Sequence, residues 1–99
     1  MTYRSHSIWD RSNDGLYRYR VLENLVTGKY SVLMRDSFGG RSSVPKDLLL
    51  NLDKYFVELL IEMTPEERGG AFDTIEDAIR AFDEDFRSDV EPSASTEGQ

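Results

Sequence analysis

The chain has 99 residues, 38% of them hydrophobic and 31% charged, enough for one modest core in one domain. It contains no cysteine, which excludes a disulfide framework, a thiolate metal site and a cysteine nucleophile. The net charge of −7 is unevenly placed: residues 1–46 hold eight basic and four acidic side chains, residues 47–99 four and fifteen, a balance that favours cationic partners over phosphate backbones.

Residues 1–14 form a polar N-terminal segment around Ile8 and Trp9, compatible with a short edge strand over Ser5–Trp9 that Trp9 anchors in the core. Ser12-Asn13-Asp14-Gly15 reads as a turn, because Asn, Asp and Gly tolerate positive φ. Leu16–Glu23 then alternates with the two-residue period of a strand, Tyr17, Tyr19 and Val21 on one face and Leu16, Arg18, Arg20 and Leu22 on the other. Asn24–Gly28 reads as a hairpin loop, with Lys29–Asp36 as the return strand. On that strand the pattern assigns Tyr30, Val32 and Met34 to the tyrosine side and Ser31, Leu33 and Arg35 to the opposite side. Gly39-Gly40 should end it.

From Pro45 the period becomes helical. Leu48, Leu52, Tyr55, Phe56, Leu59, Leu60 and Met63 make one stripe, while Leu49, Leu50, Val57 and Ile61 lie off it, as in a central core helix or half of a subunit interface. Thr64-Pro65-Glu66-Glu67 has the residues of a capping box, and Gly69-Gly70 limit that helix to one turn. Asp73 or Thr74 should cap a final helix whose inner stripe is Ile75, Ala78, Ile79, Phe82 and Phe86. Residues 89–99 read as a disordered acidic tail. The expected fold is an α+β domain over residues 15–88: a small antiparallel sheet, the hairpin with a possible third N-terminal strand, packed by two main helices with a one-turn helix between them. Its core should contain Tyr19, Val21, Tyr30, Val32, Leu52, Phe56, Leu59, Leu60, Ile79 and Phe82.

Candidates for chemistry are few. His6, the only histidine, has no partner nearby in sequence. Gly39-Gly40-Arg41-Ser42-Ser43 precedes a helix but lacks phosphate-loop spacing, and Ser42-Ser43 lacks the setting of a nucleophile elbow. The Asp83-Glu84-Asp85 triplet fails the calcium-loop pattern, with Ser88 at the sixth position and Ala94 at the twelfth. Neither catalytic, cofactor-binding nor metal residues are therefore assigned. Arg18, Arg20 and Arg35 would form a basic stripe on one sheet face, the ingredient of a nucleic-acid platform, against which the overall acidity argues.

The sequence thus reads as a small acidic, non-enzymatic protein–protein interaction module of the inhibitor or immunity type. It would bind a basic partner surface through Glu76, Asp77, Asp83, Glu84 and Asp85. The alternative is a homo-oligomeric accessory protein assembled through Leu49, Leu50, Val57 and Ile61. Leu48–Met63 is too short and too charged to span a bilayer, and residues 1–30 lack a secretory apolar run, so a cytoplasmic setting is expected.

Overall fold

The computed structural model describes residues 1–40 and 43–85. The tail expected over 89–99, Phe86 of the final stripe, and Arg41 and Ser42 of the glycine-rich connector lie outside the described residues.

Three strands, β1 (Tyr3–Ser12), β2 (Gly15–Asn24) and β3 (Tyr30–Gly39), form an antiparallel meander in the order β1-β2-β3. β1 is longer than the Ser5–Trp9 edge strand expected, and pairs with β2 without interruption from Tyr3↔Asn24 to Ser12↔Gly15. The first turn is held by Ser12 Oγ donating to Asp14 Oδ1 at 2.5 Å and by Tyr17 Oη donating to Asp14 Oδ2 at 3.0 Å. These two bonds keep the Asp14 carboxyl below its ordinary pKa. Gly15 is required there: at φ 147° its Cα faces β3, and a Cβ would stand 2.8 Å from the Gly39 carbonyl oxygen. In the second turn, Asn24 Oδ1 accepts from the backbone of Val26 and Thr27 at 2.9 and 3.2 Å, and Gly28 takes φ 75°.

Helix α1 (Lys46–Glu62) starts directly after Pro45 and is followed by α2 (Pro65–Gly69). The capping box forms as its residues require: Glu67 N donates to Thr64 Oγ1 at 3.1 Å and Thr64 N to Glu67 Oε1 at 2.8 Å. Glu66 ties α2 to the sheet, accepting from Tyr3 Oη at 2.8 Å and from Asn24 Nδ2 at 2.9 Å. Burial alone would raise the Glu66 pKa, but the hydrogen bonds from Asn24 and Tyr3 outweigh it and hold the carboxyl below its ordinary value. The last helix, α3, covers residues 75–85 and is capped by Thr74, whose Oγ1 accepts from Asp77 N at 3.1 Å.

The two larger helices lie on opposite faces of the sheet, and the core is split in two. On one face Tyr19, Val21, Val32 and Ala78 are buried, with Ile8, Tyr30, Phe72, Ile75, Ile79 and Phe82 packed around them. On the other, Leu22, Leu33, Met34 and Leu59 are buried against Tyr3, Leu52, Phe56 and Leu60. Every residue expected in the core falls in one of these clusters.

A β-bulge decides which. Val21 pairs with Val32 and Arg20 with Met34, so Leu33 is an extra residue on β3. Beyond it the two-residue alternation is inverted. Met34 therefore joins the α1 side rather than the Tyr19/Val21 side, and Arg35 turns to the tyrosines, its guanidinium 3.9 Å from the Tyr17 ring centre. Leu33, assigned by simple alternation to the face of the arginines, is fully buried beneath α1. Trp9 also departs from expectation. It is 53% exposed, stacked on Phe38 with ring centres 6.0 Å apart, because the edge strand extends past the helix-covered part of the sheet; the core contacts of β1 are Ile8 on one face and Tyr3 on the other.

Candidate functional site

Three surfaces or clusters suggested by the sequence have definite places in the fold. The first is the acidic side of α3. Glu76, Glu84 and Asp85 are exposed, while Asp77 and Asp83 are half-buried. Asp83 accepts Tyr19 Oη at 2.9 and 3.0 Å, and Asp77 pairs with Arg80 at 2.9 Å. The five carboxylates are therefore not one uniform surface. Asp83 fastens α3 to β2, and Arg80 stands among the others.

Burial and the Asp83 carboxylate push the Tyr19 hydroxyl up to about 12. Between pH 10, where the unfolded tyrosine ionises, and about 12, the folded state holds a proton that the unfolded state has lost. Stability from this group is present below pH 10 and is lost as pH rises through that window. Wild type should lose more stability between pH 8 and 11.5 than Tyr19→Phe does, measured by urea unfolding at each pH. Equal losses would mean that Asp83 does not hold the hydroxyl in solution.

The second feature is the arginine pair of β2. Arg18 and Arg20 each donate Nε to the same oxygen, Asp36 Oδ2, at 2.6 and 2.7 Å, and Arg20 also reaches Asp53 of α1 at 2.9 Å. Arg18 lies 5.2 Å from the Trp9 ring centre and 5.5 Å from that of Phe38, and Arg20 lies 4.9 Å from that of Phe56. Asp36 is 1% exposed. Arg18, Arg20 and Arg35 do not make the basic stripe expected: the bulge puts Arg35 on the opposite face, and the other two are paired and largely covered. Asp36 Oδ1 and Arg18 Nη2 are buried without a hydrogen-bond partner among the described residues.

Third is the outer side of α1. Leu50, Val57 and Ile61 follow i, i+7 and i+11 on the side away from Leu52, Phe56 and Leu59, and are 57%, 53% and 80% exposed. Lys54 lies within this strip and pairs with Glu58 at 3.7 Å. Leu49 and Tyr55 are also exposed.

His6, which sequence alone left without a partner, meets Glu23 across the β1–β2 pairing, Nε2 to Oε1 at 2.9 Å. A shallow depression of about 400 Å³ lies beside it, floored by Ile8, Ile75 and Ile79 with Asp73 and Glu76 on its rim. Asp73 is paired with Lys29. Among the described residues, no group of three or more His, Asp or Glu side chains is placed to hold a metal ion, and no helix is long and apolar enough to cross a membrane. No protein-family model, curated protein or solved structure matches the chain.

Proposed function

We infer that this chain is a non-enzymatic protein–protein interaction module whose principal contact surface is the outer side of α1. One observation carries the reading: Leu50, Val57 and Ile61 form an exposed aliphatic strip, interrupted by Lys54, that neither core cluster uses. Ile61 alone is 80% exposed. Aligned large aliphatics in water at helical spacing are a feature of interfaces, since a monomer gains nothing from them. The partner that fits is a protein presenting an apolar helix face or groove, with polar groups at the rim to meet Lys54 and Glu58.

The acidic side of α3 supports a second reading, a basic partner engaged near Glu76. There the apolar floor of Ile8, Ile75 and Ile79 beside a rim carboxylate suits the aliphatic stem and charged head of a lysine or arginine. The two readings separate by photo-cross-linking in host cells. A photoreactive residue in place of Ile61, of Glu76, or of Asn13 in the first turn should yield a discrete adduct with another protein from Ile61 and none from Asn13. Val57→Glu in the same chain should abolish that adduct while changing folding stability by under about 0.5 kcal/mol. An adduct from Glu76 alone would move the site to α3, and one with a second copy of this chain at Ile61 would make α1 a self-association surface. Adducts from neither position would remove the interaction-module reading.

A further inference from the structure

The sheet has two edges, and they are treated differently. The edge of β3 is covered over residues 30–33. Tyr30 and Phe72 exchange backbone hydrogen bonds at 2.7 and 2.9 Å, Arg68 Nε donates to the Leu33 carbonyl, and Gly69 sits so close to the backbone of Val32 that no Cβ would fit. The edge of β1 is bare along its length: among the described residues, none pairs with its outer side. β1 also contains no proline or bulge, the usual devices that blunt an edge.

The phase of its hydrogen bonds is determined. The carbonyl of Thr2 accepts from Leu25 N at 2.9 Å, and the two-residue turn makes Ser12 and Gly15 its closing pair. With the register unbroken between them, even-numbered residues direct their backbone groups toward β2. Tyr3, Ser5, Ser7, Trp9 and Arg11 therefore direct theirs outward.

We propose that β1 pairs edge to edge with β1 of a second copy, antiparallel about a two-fold axis at Ser7, to give one continuous sheet through both copies. Only a register centred on a residue sets outward groups opposite outward groups. Centring on Ser7 engages the whole strand, with Tyr3 opposite Arg11 and Ser5 opposite Trp9 as hydrogen-bonded pairs. It also places Arg4 opposite Asp10 twice, once on each side of the axis. These are non-hydrogen-bonded positions, where side chains approach most closely. Centring on His6 sets two imidazoles against each other and leaves Asp10 opposite Thr2; centring on Ile8 leaves Arg4 opposite Ser12. The charges that would ordinarily guard this edge are complementary to themselves in one register. Ser5, Ser7, Trp9, Asp10 and Arg11 are all exposed, so the contact surface is open in the single chain. The interface is independent of the α1 strip.

Sedimentation equilibrium of the full chain at about 100 µM and low salt tests this. Wild type should sediment at twice the 11.4 kDa of one chain. Ser7→Pro removes an N–H that points away from β2, a position where an edge strand tolerates proline, and should leave a folded monomer. Arg4→Asp and Asp10→Arg should each raise the dimer dissociation constant by about tenfold or more, because each sets like charges together twice. The double variant Arg4→Asp/Asp10→Arg should restore the dimer. A wild-type chain that stays monomeric overturns the proposal, as does a double variant no better than the single ones. A dimer insensitive to the charge exchanges but lost in Val57→Glu would assign self-association to α1 instead. Should Ser7→Pro fail to fold, by circular dichroism, the charge exchange decides alone.

Discussion

Replacing Asp36 with alanine should destabilise the protein by about 3–5 kcal/mol, enough to unfold much of a domain whose total stability is of the order of 5–15 kcal/mol. Asp36 is the shared acceptor for Arg18 and Arg20, whose side chains are only 14% and 7% exposed. Removing it leaves two covered guanidinium groups, one with no remaining carboxylate and the other with Asp53 alone. The cost comes from stranding those charges, not from losing a strong bond. The triple variant Arg18→Met/Arg20→Met/Asp36→Leu should therefore recover most of the loss, since apolar residues of similar volume replace buried ion clusters at little cost. Urea unfolding of the two variants is the measurement. If Asp36→Ala unfolds within 1 kcal/mol of wild type, water solvates the arginines in the folded state and the cluster contributes little.

Leu33→Ala should have an effect of similar size, about 3–5 kcal/mol, through a different cause. Leu33 is fully buried beneath α1, beside Leu22, Met34 and Leu59, and it is the bulged residue of β3. Truncation opens a cavity between a helix and a sheet whose backbone is held there by Arg68 at the Leu33 carbonyl and by the close approach of Gly69 to Val32, so little collapse is available. Leu50→Ala on the same helix removes as much side chain from an exposed position and should change stability by under about 0.5 kcal/mol. Thermal or urea unfolding of the pair measures the contrast. Equal losses would mean that α1 docks by its other face.

Both predictions rest on features that local patterns hid. Asp36 and Leu33 sit in a strand whose alternation, read alone, assigns sides correctly only as far as the bulge. No composition signal marks an extra residue at Leu33, since bulges arise from pairing with a neighbouring strand, which single-strand periodicity cannot register. The acidic residues of the final helix were legible as a charge pattern. That Asp83 was spoken for by Tyr19, far away in sequence, was not.

What the sequence determined by itself is local. Ser12-Asn13-Asp14-Gly15 makes a tight turn because the Ser12 and Asp14 side chains bond each other within it and glycine accepts a conformation other residues resist. Thr64, Pro65 and Glu67 make a capping box because the bonding groups lie within one helical turn. The stripe Leu52, Phe56, Leu59 and Leu60 selects the inner face of α1 by spacing alone, and its outward remainder, Leu50, Val57 and Ile61, follows from the same count. The tertiary structure decided everything that depends on what lies across a gap in the chain. It put α1 and α3 on opposite faces of the sheet, divided one expected core into two, sent Arg35 away from Arg18 and Arg20, and left Trp9 at the surface with Ile8 inside. The physical reason is non-local in all four: a side chain's face depends on how its strand pairs with the next, and its burial on which other element comes to cover that face.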